Sequence, residues 1–546
     1  MTTYQDFSAR MDAFVQERLA GVKLQLPARD KVIHDCVWGT VAFSPWEMQL
    51  LDSPLLQRLR HVLQLGIAVL TYPSANHSRF EHTIGVAAVA SDMIRGIERG
   101  SRIKIPPAHV AKIRLAALLH DVGHCFFSHE SERTYANAPE MAALRAENPI
   151  FAHAQAHEIL GYLIINTPSF CTFFERQIAY PYVSGTSETA ALLAEVGGMI
   201  IGAPQQPVME DGRLVCYHYL TELINGQFDA DAIDYLCRDA YATGLSVTFN
   251  IDRFLYQLKL AEVEEYLPDG TPVRAIHLTI PTSGVTTVEE MAYSKLMLTR
   301  YIYQHQKVIA GATLWNDLAS GLSRAGILTH PADFLSLTDE DIYMLDTHGR
   351  APALTLPIAA LPIWENGTRT ISDVAHSIVS RNLPVRALVL NANTVVAVHG
   401  KTSPTVGDIA AFLSHEENLR VRIAAEANAI AAKLGKSERF VGYEVYTEVP
   451  KIYTAKDYSG VRVQASDGAY LPMRDVAKLK DWTQTFAETT WNAYIFADRA
   501  CQPLVTVAAL RVLRRAGLTF HPEHTMRALK NRTIVTVLLQ KLGDTI

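Results

Sequence analysis

The chain has 546 residues, of which 49% are hydrophobic and only 19% charged; this globular composition excludes a disordered or fibrous protein and implies roughly two to four domains. A formal net charge of −6 excludes a surface that traps nucleic acid everywhere, although a local basic groove stays compatible with it. The six cysteines, Cys36, Cys125, Cys171, Cys216, Cys237 and Cys501, form no CxxC pair, which fits buried, reduced thiols in a cytosolic protein better than a disulfide framework or a zinc knuckle.

Residues 1–30 read as a helical extension. Their opening, MTTYQDFSARMDAFVQERL, has early acidic residues and no apolar signal core, and the longest apolar runs are broken before bilayer length, so a soluble cytoplasmic protein is expected. From about Leu51 to Leu260, LLQRLRHVLQLG, TIGVAAVASDMIRGI, HVAKIRLAALLHDVGH, HEILGYLIINT and DAIDYLCRDAYATGL place apolar residues at three- and four-residue intervals, which predicts the helices of one bundle. YPSANHS and GGMIIGAPQQP read as connections at the surface or a pocket mouth. VEEMAYSKLMLTRYIYQHQKVIAGATLWNDLASGL predicts a further long helix. Past about Ala325, prolines at 331, 352, 357, 362 and 384 and the β-branched runs RALVLNANTVVAVHG and FVGYEVYTEVPKIYT predict an α+β region. The last stretches, LVTVAALRVLRRAGLTF and MRALKNRTIVTVLLQKL, return to helical spacing with basic residues on the polar side. The expected architecture is mainly α: a helical core over 31–325, then a smaller C-terminal α+β region over 326–546 that serves oligomerisation or regulation.

The chemistry concentrates in RLAALLHDVGHCFFSH, where an apolar helix ends in His120 and Asp121 with His124 and His129 just beyond. An adjacent imidazole and carboxylate suit a divalent metal, although a HisAsp pair alone is more often a helix cap beside a core histidine. Two further segments change that balance. NHSRFEHTIGVAAVA places His82 at the start of one helix, and GQFDADAIDYLCRD places Asp231 at the start of another. Together they offer a His, HisAsp, Asp donor set that leaves positions open for water and substrate.

In the order and wording of these segments the chain resembles the HD superfamily of metal phosphohydrolases, and so a helical HD-domain bundle. It resembles in particular the deoxynucleoside triphosphate triphosphohydrolases: DSPLLQRLRHVLQLG, YPSANHSRFEHTIGV, LLHDVGHCFFSH, His157-Glu158, DADAIDYLCRD and YIYQH follow that family's order from about Lys31 to Tyr303. The resemblance implies hydrolysis of dNTPs to deoxynucleoside and inorganic triphosphate, with one divalent ion (Mn, Mg or Fe, with Zn or Co also admitted) held by His82, His120, Asp121 and Asp231. It implies Arg79 at the α-phosphate, His129 as general acid and His124 and His157 along the phosphates. Glu132 stands where the family usually has an aspartate, and Ala232 where the family's animal members have a phosphate-binding lysine. Lys295 replaces an arginine, keeping the charge and losing the fork. Gln64 and Asp239 match the pair that holds a 3′-hydroxyl; Leu65, Tyr235 and Tyr303 match residues that crowd out a 2′-hydroxyl; Gln304 lies near the base.

The same resemblance implies a guanine-nucleotide effector, GTP or dGTP, at a site between subunits. Lys31, Asp52, Gln57 and Arg60 correspond to its base-reading residues, and Arg253 and Arg381 to added phosphate contacts. A homo-oligomer, tetramer or hexamer, follows from resemblance alone. Nucleic acid is a compatible but not a required partner, and no membrane is expected. Two alternatives stay open: an HD-type phosphodiesterase or nuclease acting on cyclic nucleotide or single-stranded nucleic acid, which the missing lysine favours, and a non-catalytic nucleotide sensor. The preferred base is not readable.

Overall fold

Helices dominate the chain in a computed structural model that describes residues 2–246, 249–347, 360–364, 368–442, 444–452 and 460–546. Two compact units result: Met1–Leu298 with Leu328–Asp341 and Lys456–Leu479, and Thr299–Ile327 with Ile342–Ala455 and Lys480–Ile546.

The first unit is organised by the Arg79–Gly100 helix. It begins with a capping box, in which the Ser78 hydroxyl accepts from the Glu81 N–H and the Glu81 carboxylate accepts from the Ser78 N–H at 2.6 Å, so two N–H groups that the helix cannot satisfy itself find partners. Its residues are buried on most faces because the helices Pro107–Leu119, Ala230–Thr243 and Ile251–Gln257 pack around it. Pro107 opens the first of these, its ring fixing the backbone for a first helical turn. Asp229 caps the second through the Ala232 N–H at 2.7 Å, and Gly244 at φ +71° ends it. Gly85 lets the central helix approach its neighbour: a Cβ there would lie 1.9 Å from Asp234 Oδ1.

Three local expectations are corrected. Within the stretch read as helical, Val208–Glu210 and Arg213–Cys216 form a hairpin whose turn residues Asp211 and Gly212 both have positive φ, the backbone that an Asp-Gly pair favours between strands. This hairpin joins a six-stranded sheet with Lys259–Tyr266, Pro272–Pro281, Arg462–Gln464 and Tyr470–Pro472. GGMII is not a connection: Gly197 to Ile200 finish the Thr186–Ile200 helix, where a Cβ on Gly197 would lie 2.7 Å from the Tyr162 ring. The long helix after Val285 is not continuous either. It runs Val285–Leu298, passes through a π-helical turn at Thr299–Tyr303 with the Gln304 N–H reaching back to the Thr299 carbonyl at 2.7 Å, and resumes at Gln306–Arg324.

The second unit carries the smaller α+β part. Val445–Glu448, Ala493–Ala497 and Val385–Leu390 form one antiparallel sheet, and Leu518–Phe520, Val395–Val398 and Lys401–Thr402 another. Both pack on the Leu419–Lys433 and Gln502–Arg515 helices through a core that includes Leu388, Ile423, Ile495, Val505 and Leu510. LTF therefore leaves helical spacing and becomes a strand, after Gly517 at φ +106° breaks the helix. Pro352 and Pro357 lie outside the described residues, as do Tyr443, Tyr453 and Thr454 of FVGYEVYTEVPKIYT. The fold is thus mainly α with a smaller set of strands. No described helix is long and apolar enough to cross a membrane. The cysteines are all free, and Cys36 departs from the expected burial by being exposed.

Candidate metal centre and active site

His82 occupies the first turn of the central helix, His120 caps the end of Pro107–Leu119, and Asp231 lies in the first turn of Ala230–Thr243. Helix packing brings the three to one point. His82 Nε2 is 2.9 Å from Asp231 Oδ1, 3.3 Å from His120 Nε2 and 3.8 Å from Asp121 Oδ2, and His120 Nε2 is 3.3 Å from Asp121 Oδ1. Two imidazole nitrogens bound to one ion at ~2.1 Å stand roughly 3.0–3.4 Å apart, so these spacings suit a shared cation.

The histidines are also held in the required tautomer. His82 Nδ1 donates to Asp234 at 2.6 Å and His120 Nδ1 to the Ala117 carbonyl at 2.7 Å, which leaves both Nε2 atoms for the common point. Asp234 is fully buried and is itself held by Arg238, whose guanidinium donates to it at 2.9 and 3.0 Å, and by the Trp38 indole. Arg238 in turn pairs with Asp35 at 2.9 Å. Burial opposes charge on His82, but Asp231 and Asp234 outweigh it and raise its pKa to about 10. Burial likewise opposes charge on Asp121, yet Arg79, His120 and His82 hold it well below the usual carboxylate range. Asp231 is the open member, with 39% of its side chain exposed.

A second histidine group adjoins this one through Asp121, whose Oδ1 is 3.4 Å from His124 Nε2. His124 and His157 stack at 3.7 Å, and the exposed His129 meets His124 edge-on at 5.2 Å. Glu132 serves two of them: Oε2 accepts from His129 Nδ1 at 2.9 Å, and Oε1 accepts from His157 Nδ1 at 2.8 Å and the His157 N–H at 3.1 Å. Burial opposes the charges of Glu132 and His157 alike. Their pairing prevails, raising His157 to about 9 and keeping Glu132 well below its ordinary value. For His124, burial next to Arg79 and His157 depresses the pKa far enough to keep the ring neutral.

Arg79 links the two groups, donating through Nη1 to Asp121 at 2.8 Å and through Nε to the Ser128 hydroxyl at 2.9 Å. Among the described residues Arg79 Nη2, both nitrogens of His124 and Gln64 Oε1 are buried without a hydrogen-bond partner. His77 links Gln64 and Asp239, its carbonyl accepting from the Gln64 N–H at 3.0 Å and its Nε2 lying 3.0 Å from Asp239 Oδ1. Leu65 is buried, and Lys295 Nζ lies 5.2 Å from the Tyr235 ring centre. Tyr303, Gln304 and Arg381 belong to the second unit: Tyr303 in the π-helical turn, Gln304 donating to the Lys451 carbonyl at 2.9 Å, and Arg381 at φ +55° after the Ile371–Val379 helix.

Of the residues expected at an effector site, Gln57 and Arg60 are joined by a 2.7 Å hydrogen bond, Asp52 feels the charge of Arg60, and the Arg60 guanidinium lies 3.8 Å from the Phe80 ring centre. Lys31, on the Lys31–Asp35 strand, and Arg253, in the first turn of Ile251–Gln257, are exposed. Sequence reading missed Asp234, Arg238, His77 and Ser128. The first two had a signal, since Asp231, Asp234 and Arg238 recur at helical spacing on one face. A third cluster, His218, Glu265 and His277, is joined by hydrogen bonds and stacking: the two rings are parallel within 12° at 4.5 Å, and His277 bonds Glu222 at 2.7 Å and Glu265 at 3.1 Å.

Residues 79–239 match the HD domain family. The chain carries an HD domain over those residues. That family is one of metal-dependent phosphohydrolases. The deoxynucleoside triphosphate triphosphohydrolase SAMHD1 of Mus musculus is 27% identical over 287 residues, which cover 50% of this chain and 42% of that protein. The chain thus spans less than half the length of that relative. The uncharacterized protein YwfO of Bacillus subtilis (strain 168) is 27% identical over 367 residues, 65% of this chain and 68% of YwfO. A crystal structure of a phosphohydrolase from Bacteroides thetaiotaomicron shares the fold with a TM-score of 0.56 at 19% identity, covering 86% of this chain and all of that one.

Proposed function

We propose that this HD-domain protein hydrolyses deoxynucleoside triphosphates to the deoxynucleoside and intact triphosphate with the help of one divalent ion. The observation that carries the reading is the set of buried, unpartnered polar atoms beside the donor set: Arg79 Nη2, His124 Nδ1 and Nε2, and Gln64 Oε1. Buried polar groups are rarely left unpaired unless a ligand completes them, and here a guanidinium N–H offers itself to a phosphate oxygen and an amide oxygen to a hydroxyl.

His82, His120, Asp121 and Asp231 would hold the ion, which when bound supplies Lewis acidity toward phosphate oxygens and a more acidic water. Arg79 binds a phosphate through Nη2 while its other nitrogens stay fixed by Asp121 and Ser128. His129 is suited to donate a proton from Nε2 to the leaving oxygen, because Glu132 takes its Nδ1–H and balances the imidazolium charge. Neutral His124 and charged His157 flank the phosphate chain. Gln64, Asp239, Leu65 and Tyr235 select a deoxyribose by bonding its 3′-hydroxyl and leaving no space for a 2′-hydroxyl.

The finer reading includes activation by GTP or dGTP at a site between subunits of a cytoplasmic homo-oligomer. Its support is the grouping of Asp52, Gln57 and Arg60, a carboxylate and a guanidinium that complement the amino and carbonyl edges of guanine. A phosphodiesterase or nuclease acting on other phosphoesters is the second reading, favoured by Ala232, which is buried and brings no cation. Each dNTP is to be incubated with Mn, Mg, Fe or Co, with and without GTP, and the products separated by ion exchange. Deoxynucleoside plus triphosphate, lost in Asp231→Ala, is expected. Monophosphate plus pyrophosphate, or turnover only of cyclic or polymeric substrates, overturns the proposal.

A further inference from the structure

The loop that carries the histidine group has a backbone that its own sequence does not favour. Phe127 and Ser128 are consecutive non-glycine residues with φ of +50° and +51°, a conformation that persists only where surrounding contacts over-determine it. The contacts come from far along the chain. Asp339, 3% exposed, accepts from the Phe127 N–H through Oδ1 at 2.6 Å and from the Leu63 N–H through Oδ2 at 2.9 Å. Leu63 also accepts from the Ser128 hydroxyl at 2.6 Å, and that hydroxyl accepts from Arg79 Nε.

One buried carboxylate therefore ties together two segments that flank the site: residues 62–66, which carry Gln64 and Leu65, and residues 125–129, which carry Ser128 and end in His129. The segment around Asp339 is seated independently of this clamp. Phe334 stacks parallel to Phe126 at 5.9 Å and packs on Tyr135 at 5.2 Å, and Glu340 meets His61 at 3.1 Å. Gly66 completes the fit, since a Cβ there would lie 2.8 Å from the Phe127 carbonyl oxygen.

We infer that Asp339 is a positioning residue, whose two hydrogen bonds set the distance between the sugar-side residues Gln64 and Leu65 and the proton donor His129. The inference rests on the proposed phosphoester hydrolysis for its catalytic consequence, and on geometry alone for its structural one. An asparagine at 339 keeps the size but offers one acceptor where two N–H groups converge, so its own amide faces a donor and one of the two ties is lost. Misplacing a donor by about 1 Å costs roughly 100-fold in rate.

The test is Asp339→Asn in the full chain, read in two ways. In hydrogen exchange followed by mass spectrometry, peptides covering 62–66 and 125–129 exchange faster than in the wild type, while peptides from the Arg79–Gly100 and Ala230–Thr243 helices exchange as before and bound Mn per chain is unchanged. In kinetics, kcat on a dNTP falls by roughly 10- to 100-fold with KM within about threefold, while an aryl phosphodiester such as bis(p-nitrophenyl) phosphate, whose phenolate leaves without a proton, loses far less. Asp339→Glu, which restores two acceptors, recovers part of the protection. Unchanged exchange in both segments overturns the inference, and so does a rise spread evenly over the first unit, which assigns Asp339 to general stability. If the wild type turns over no dNTP, the functional reading fails while the exchange measurement still decides the clamp.

Discussion

Replacing Glu132 by glutamine isolates the buried pair on which the histidine group is built. In the wild type the carboxylate accepts from both His157 Nδ1 and His129 Nδ1, and it lifts His157 from the ordinary histidine value of 6.5 to about 9 against the opposing effect of burial. That shift corresponds to roughly 3 kcal/mol at about 1.4 kcal/mol per unit, in line with the ~3–5 kcal/mol lost when one partner of a buried pair is removed. The sign follows from linkage. A raised histidine pKa contributes stability that is complete below 6.5 and is lost as pH climbs through about 9. The depressed Glu132 sets the acid side, contributing above the unfolded carboxyl value of 4.5 and failing as pH drops through its lower folded value. Thermal or urea unfolding of metal-free wild type and Glu132→Gln across this range should therefore show a deficit of about 3 kcal/mol near pH 6 that closes toward pH 10. A deficit of equal size at both ends would mean that the loss is packing and not charge, and would refute the reasoning.

Asp234→Asn should weaken Mn binding by roughly 10- to 100-fold with the four proposed ligands intact, measured by isothermal titration; unchanged affinity would remove Asp234 from the site's support. Gly85→Ala drives a methyl into Asp234 and Arg238 and should destabilise the first unit by about 1–3 kcal/mol or more while weakening the metal in parallel, both readable by melting with and without Mn. Arg60→Ala should abolish stimulation by GTP, and a stimulated rate equal to that of the wild type would discard the effector proposal.

The HD constellation was legible because its members sit where helices begin and end. His82 follows a Ser78 to Glu81 capping box, His120 closes an apolar helix opened by Pro107, and Asp231 follows the cap Asp229, so hydrophobic periodicity together with these start signals places all three at helix ends. Asp339 left no comparable trace. It is a single carboxylate 212 residues from the Phe127 it holds, and no local pattern encodes a contact across that distance. The missed strands are a different failure. Glu210-Asp211-Gly212-Arg213 and Pro268-Asp269-Gly270 are turn signals in the sequence, but the first lies inside a stretch dominated by helical periodicity and the second just beyond it. Gly197 shows the converse, because a glycine read as a turn proved to be the small residue against which Tyr162 packs.

The donor set carries a counter-charge of its own on His82. His82 lies between two carboxylates, Asp234 on Nδ1 and Asp231 on Nε2, and its pKa near 10 keeps the ring an imidazolium at neutral pH. A divalent ion and the Nε2 proton therefore compete for one place, whereas the Nδ1 proton is needed in both states to hold the ring to Asp234. With the proposed ion the two carboxylates would have separable tasks: Asp231, partly exposed, would exchange partners, and Asp234, fully buried and fixed by Arg238 and Trp38, would not. Metal loading should thus release about one proton per chain near pH 7, seen as a titration heat that scales with buffer ionisation enthalpy, and heats independent of buffer would show that His82 is already neutral before the ion arrives.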